Sequence, residues 1–255
     1  MIGLRGRSSL AWVAVVVAVF ATVAGCARPP APHGPPPAVG AMVPAASCRA
    51  DGAAIREQAD ALVRTGLRET GFHTVFVDCA GAGRRAYTDD AALSGYLAER
   101  GLTLDFPDAA ERSAAVDVAA ASDAKVRTDL TRRVMLAQPL IVASDIGALP
   151  PATLDVLNHR EVVEIARDRR EAPGAQVLDD PGTYSRAIGE QGLLVSLTNS
   201  TPATRDLAVR VADLGLAGDD LVPARDVWTG HRIRAADGVL TIAVPARDTA
   251  LLRIG

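Results

Sequence analysis

Acidic residues that close short apolar runs are the first candidates for chemistry in this 255-residue chain. Asp78 ends the run Val75-Phe76-Val77, and Asp145 follows Leu140 to Ala143 and Ser144. Asp108 comes just after the stretch Leu93 to Phe106, with Asp105 as an outsider. Short apolar runs of this kind read as strands buried on both faces. Acids at the C-terminal ends of parallel strands stand where α/β barrels place their sites. Two carboxyl groups held close together there could divide the roles of nucleophile and general acid/base. Asp145 has a plainer alternative role, capping the helix that follows it.

Other chemistries find less support. His73, His159 and His231 are scattered, with no paired spacing that would hold a metal, so neither metal nor cofactor is expected. There is no G-x-S-x-G elbow for a serine nucleophile. Gly81-Ala82-Gly83 imitates half of a phosphate loop, but Arg84 and Arg85 follow it rather than a helix opening, which makes it a rim loop. The formal net charge is −3 with charges interspersed, so nucleic acid is not an expected partner. Aromatic residues are only 4% of the chain, which argues against a strong lectin.

The elements that would position the acids are clearest between Lys125 and Asp168. Val126, Leu130, Val134 and Ala137 recur at helical spacing, and Pro139 stops the helix. Leu140 to Ala143 is then a buried strand. Pro150 and Pro151 suit the first turn of a second helix that carries Leu154, Leu157, Val162 and Ile165 inward. Helix, strand, loop, helix is a unit of a parallel α/β sheet. Upstream, Met42-Val43-Pro44 is a candidate strand, Ile55 to Leu67 a helix and Val75 to Asp78 a strand. Leu93 to Phe106 reads as helix, Gly101 stop and strand.

Residues 1–25 read as a targeting segment, with Arg5 and Arg7 before the apolar core Leu10 to Ala24. Val23-Ala24-Gly25-Cys26 fits a bacterial lipobox, which would acylate Cys26 and make it the mature N-terminus. An uncleaved anchor and an ordinary signal peptide are the alternatives, and each places the body outside the cytoplasm. Residues 26–40 form a Pro-rich tether containing His33, extended and semi-rigid. The expected localisation is the extracytoplasmic face of the cell membrane, lipid-anchored, with carbohydrate or an envelope protein as partner. The mature part of about 230 residues can bury one large core or two smaller ones. Cys48 and Cys79 remain as a pair in an oxidising compartment, either bridged or as two thiols. A bridge closing this loop would be worth about 3–4 kcal/mol. Residues 41–172 then form a β/α domain and residues 173–255 an antiparallel β-sandwich. The sandwich strands are read at Leu193 to Leu197, Leu207 to Val211, Ala224 to Trp228, Val239 to Val244 and Thr249 to Ile254, with turns at Asn199-Ser200 and Asp237-Gly238. Trp228 reads as a core residue.

Three ordered stretches resemble the α-galactosidase (melibiase) family of glycoside hydrolases, of glycoside hydrolase family 27 type. The stretch SCRADGAAIREQADALVRTGLRETGFHTVFVDCA is similar to the family's opening, through Ala59-Asp60-Ala61-Leu62-Val63, Gly66-Leu67, Gly71-Phe72, Val75, Val77 and Asp78-Cys79. The stretch MLAQPLIVASDIGALPPATLDVLNHREVVEIARD is similar to the end of the family's barrel, with Ala166 in place of an Asn. The segments VADLGLAGDDLVPARDVWTGHRI and GVLTIAVPARDTALLRIG are similar to its C-terminal domain. The resemblance implies a disulfide between Cys48 and Cys79, a sugar-hydroxyl role for Asp78, and a place for Asp145 outside the catalytic pair. It also makes Asp108 the counterpart of an acid at a strand end. Two departures lie at the first motif: Val77 stands where the family has its first Asp, and Ala80 where it has Trp.

Between Asp108 and Lys125 there are 16 residues, where the family has four further strand–helix steps carrying both of its catalytic acids. No counterpart of those motifs occurs in this chain. Strands one, two, three and eight of a closed barrel form a contiguous arc, because the last strand pairs with the first. The expected fold is therefore α/β plus all-β: a truncated barrel remnant as an open parallel sheet in the order three-two-one-eight, then a sandwich. The former barrel interior needs a cover, either residues 109–124 or the C-terminal domain. Retaining glycoside hydrolysis needs two carboxyls about 5–5.5 Å apart. The expected function is an inactive relative acting as a carbohydrate- or protein-binding scaffold. The alternative is an active hydrolase of α-linked galactosides, with Asp78 working beside Asp108 or Asp145.

Overall fold

A computed structural model describes residues 37–43, 52–78, 87, 90–168, 172–177, 180–189, 192–216 and 222–255. The described residues fall in one compact unit. Its first sheet has four parallel strands, β1 (Val39–Val43), β2 (Thr74–Val77), β3 (Thr103–Asp105) and β4 (Leu140–Val142), in the order β3-β2-β1-β4. That is the arc expected from the arrangement three-two-one-eight. β1 starts at Val39, earlier than the sequence reading placed either the strand or its domain.

The pleat sorts the apolar residues of these strands onto two faces. Ala41, Val43, Val75, Val77, Leu140 and Val142 join the main core beneath the helices. Met42, Phe76 and Ile141 point the other way and form a separate small cluster, with Ala38, Ala115 and Ala143 against it. Gly40 is required here, since a Cβ on it would lie 2.2 Å from the Thr74 carbonyl oxygen and 2.8 Å from the Phe76 ring. Residues 109–124 do reach this face, through Ala115. Val116 also forms a parallel bridge to Val142, exchanging hydrogen bonds with Ile141 and Ala143 at 2.8 Å each, and so extends the sheet beyond β4. The sandwich lies elsewhere, against the helical layer.

The helices follow their apolar spacing. α1 (Ala53–Arg64) buries Ile55, Gln58, Ala59, Ala61 and Leu62, and α2 (Leu67–Thr70) follows after Gly66. α3 (Ala91–Glu99) is capped by Asp90, which accepts from the amides of Ala92 and Leu93. α4 (Ala109–Ala114) is short. α5 (Asp123–Met135) is capped by Ser122 and buries Val126, Leu130, Thr131, Val134 and Met135. It stops before Ala137, which takes a left-handed φ of 50° and does not continue the stripe. The single helix expected after Pro150 is two, α6 (Pro151–Leu157) and α7 (Arg160–Ala166). The break has a tertiary cause. Asn158 donates to the Thr65 carbonyl at 2.9 Å and accepts from the Thr70 hydroxyl at 2.7 Å, tying the gap to α1 and α2.

Among the described residues the C-terminal part has eight strands: β5 (Ala175–Gln176), β6 (Thr183–Ile188), β7 (Gly192–Thr198), β8 (Arg205–Arg210), β9 (Pro223–Asp226), β10 (Arg232–Arg234), β11 (Val239–Val244) and β12 (Thr249–Ile254). Six of them form a sheet in the order β10-β9-β12-β7-β6-β5, and β11 pairs with β8. Val195, Leu197, Leu240, Val244 and Leu252 fill the space between these sheets. The opposite face of the large sheet, through Ile188, Leu194 and Leu251, joins the main core with α5. Asp237 and Gly238 both take positive φ, as a tight hairpin turn demands.

Polar contacts bind the two parts together. Arg186 of β6 is 2% exposed and donates to the Val134 carbonyl near the end of α5 at 2.6 Å and to Ala172 at 3.3 Å. A cation at the C-terminal end of a helix is electrostatically well placed. Arg127 of α5 pairs with buried Asp248 through two nitrogens, at 3.1 and 2.5 Å. The Trp228 indole donates to Thr131 at 2.9 Å, and the His159 ring meets it edge-on at 5.0 Å. Trp228 is thus a junction residue, packed against the main core. At Glu161, burial works against the charge, but Arg225 and Arg253 outweigh it and hold the carboxyl below its ordinary 4.5. Gly174 leaves room for the crossing, as a Cβ there would lie 2.6 Å from the Ser185 oxygen and 2.7 Å from that of Met135.

Replacing Arg186 by Leu removes the charged donor from the Val134 and Ala172 carbonyls and leaves Val134 its bond from the Ala137 amide at 3.2 Å. A hydrogen bond to a charged group is worth about 1.5–3 kcal/mol, so Arg186→Leu should lower the urea unfolding free energy by about 2 kcal/mol with the slope unchanged.

Candidate functional site

The C-terminal ends of the parallel strands gather the polar residues of interest. Gln58 organises the rim from below. It is 3% exposed, donates to the carbonyls of Met42 (3.3 Å) and Ser144 (2.9 Å), and accepts from the Ile146 amide (3.2 Å). One side chain therefore joins the ends of β1 and β4 to α1. Its position on the inward stripe of α1, three after Ile55, was the signal available in the sequence.

Each acid singled out in the sequence has a local partner. Asp108 caps α4 in a reciprocal box: its Oδ1 accepts from the Glu111 amide at 2.8 Å, and its own amide donates to Glu111 Oε2 at 2.9 Å. Asp145 accepts from the Gly147 amide at 2.9 Å and caps the 3₁₀ turn Ile146–Ala148. Asp105 accepts from the Phe106 amide at 2.7 Å. Asp78 is about one-third exposed and faces Arg112 at 3.5 Å, while Arg112 also donates to the Pro107 carbonyl at 2.6 Å. The structure thus brings Asp78 and the Asp108 turn toward one helix, α4. It leaves Asp145 on the far side of β1. Their strand ends are two strand spacings apart, about 10 Å.

Asp117 is the acid that the sequence reading missed. Its Oδ1 accepts from the Ala119 amide at 3.0 Å and from the Ser144 hydroxyl at 2.8 Å, and Ser144 in turn accepts from the buried Val118 amide at 2.9 Å. The Ala119 amide first, and the Ser144 hydroxyl second, hold its carboxyl below the ordinary 3.8. Only the bridge of Val116 to β4 brings it here, and nothing local in the sequence announces that pairing.

Cys26, Cys48, Cys79 and the Gly81–Gly83 loop lie outside the described residues. Among the described residues no group of three His, Cys, Asp or Glu could hold a metal ion. His73 and His231 are exposed and apart. Four cavities lie on the sandwich or at its junction with α5, and none of these four is lined by Asp78, Asp105, Asp108, Asp117 or Asp145.

Removing the Ser144 hydroxyl leaves the Val118 amide unmet, so Ser144→Ala should cost about 1–3 kcal/mol. It should also raise the Asp117 carboxyl toward 3.8, read by NMR titration. A lowered carboxyl stabilises the fold above its unfolded value and loses that effect as pH falls through its folded value. The loss of stability that Asp117 adds below pH 3.8 should therefore shrink in the variant.

Residues 183–254 match the α-galactosidase C-terminal β-sandwich domain. The chain is 26% identical over 115 residues to an α-galactosidase of Coffea arabica, covering 44% of this chain and 30% of that protein. It is 26% identical over 129 residues to one of Oryza sativa subsp. japonica, covering 50% and 31%. It thus spans under a third of the length of these relatives. A Bacteroides fragilis structure assigned as an α-galactosidase superposes with a TM-score of 0.65 at 10% identity, covering 87% of this chain and 79% of that one. The chain is thus similar to α-galactosidases through its C-terminal sandwich and over up to half of its length, and it shares its fold with the Bacteroides fragilis structure.

Proposed function

We propose that this α-galactosidase-like protein is catalytically silent. In this reading Cys26 carries lipid and holds the body at the outer face of the cell membrane, where it acts as a carbohydrate- or protein-binding module. The observation that carries the reading is the bonding of the strand-end acids. Asp108, Asp117 and Asp145 each spend an oxygen on a neighbouring backbone amide, and Asp78 faces an arginine. A retaining pair needs two carboxyls facing one substrate about 5–5.5 Å apart. The absence of the family's nucleophile and acid/base motifs from the sequence supports the same reading.

A second reading, an active hydrolase of α-linked galactosides, is favoured by one contact. Arg112 lies in the helix capped by Asp108 and touches Asp78, so these two acids share a neighbourhood.

An aryl α-galactoside separates the two readings. The purified protein should release no more aglycone than buffer, and Asp78→Asn should change nothing. Turnover that disappears in Asp78→Asn would establish the hydrolase. In cells, Cys26→Ser should move the protein from the membrane fraction to the soluble one; retention in the membrane would refute lipid anchoring.

A further inference from the structure

Four arginines line one groove at the open edge of the large sheet: Arg225 of β9, Arg232 and Arg234 of β10, and Arg253 of β12. The strand register makes this a built array. Arg232 lies opposite Arg225, Arg225 lies opposite Arg253, and Arg234 lies opposite Pro223. Residues two apart on a strand, and directly paired residues on neighbouring strands, share a face. All four arginines therefore stand on one face, three of them in a row at steps of about 5 Å. Like charges placed directly opposite one another destabilise a sheet. Only part of that repulsion is relieved within the chain. Glu161 takes Arg225 at 2.6 and 2.8 Å and Arg253 at 3.1 Å. Arg232 and Arg234 are exposed and have no ion pair among the described residues. The groove holds ≈ 670 Å³, and Pro223 gives the arginine face an apolar wall. This concentration of positive charge belongs to a chain whose net charge is −3.

We propose that this groove binds an acidic saccharide, with Arg232 and Arg234 gripping its carboxylates. A guanidinium presents a planar fork that matches a carboxylate through two parallel hydrogen bonds. Pro223 and the aliphatic stems of the arginines supply apolar surface for the C–H faces of sugar rings. That pairing of forks with apolar surface favours a saccharide over a lipid headgroup, whose phosphate needs no such surface. The proposal gives a ligand class to the binding half of the proposed function, and it is independent of whether turnover has been lost.

Calorimetric titration with tetragalacturonic acid tests it, beside neutral β-1,4-galactotetraose and vesicles containing phosphatidylglycerol. The acidic tetrasaccharide should bind, more weakly as salt is raised, and the neutral one should not. Hydrogen bonds to charged groups are worth enough that the double variant Arg232→Gln, Arg234→Gln should bind about tenfold more weakly or worse. The double lysine variant, which keeps the charge, should fall between the two. If the double glutamine variant does not melt cooperatively, Arg234→Gln alone serves, since it alters a single exposed position on the edge strand. The proposal is overturned if the acidic saccharide fails to bind, if the neutral one binds equally, or if the glutamine variants bind at full strength. Binding to vesicles without binding to the tetrasaccharide would equally overturn it and make the face a membrane contact. None of these outcomes bears on the galactoside assay, so the two ideas fail separately.

Discussion

Helix α5 is buried on two sides at once, and the rest of the molecule depends on that. A four-stranded parallel sheet cut out of a barrel has two apolar faces and cannot leave either in water. Val126, Leu130 and Val134 carry the α5 side of the main core, which the inward residues of β1, β2 and β4 share. The same core takes in Ile188, Leu194, Val227 and Leu251 from the large antiparallel sheet. The sandwich therefore does for the open sheet's helices what a complete ring of neighbours does in a closed barrel. Buried Arg186 fixes the geometry of that contact, because a guanidinium at this depth is tolerable only with its donors met.

The opposite face of the parallel sheet sets a second constraint, and it bears on the site. In a barrel the inward residues pack against strands across the axis. Here Met42, Phe76 and Ile141 pack together, with Phe76 lying over Gly40 and Ala115 beside them. Residues 108–118 cover this face with a short helix and one bridge. They bring their own acids, Asp108 and Asp117, to the rim, and both are committed to local backbone amides. The acids of this rim organise its own loops.

Much of this architecture could be read from residue types. The apolar runs at Val75 and Leu140, the helical stripe of α5, and the resemblance at three ordered stretches together yield the sheet order and the sandwich. What escaped had a common cause: polar residues whose partners are distant in sequence. Thr183, Ser185 and Arg186 deny β6 an apolar pattern, and it went unread because the bond that buries Arg186 reaches Val134, 52 residues away. Asn158 splits one expected helix into two through bonds to Thr65 and Thr70. Gln58 and Asp117 gain their roles only once β1, β4 and residue 116 are side by side. At the site, Asp78, Asp108 and Asp145 were legible as strand-end acids and the cap at Asp145 was foreseen, but the cap at Asp108 was not, since a capping aspartate and a catalytic one look alike in sequence.

Joined through α5, the shortened barrel and the sandwich should fold as one cooperative body. Differential scanning calorimetry of the whole chain should then show a single transition whose calorimetric and van't Hoff enthalpies agree. Two separable transitions, with the sandwich surviving the melting of residues 39–168, would contradict it.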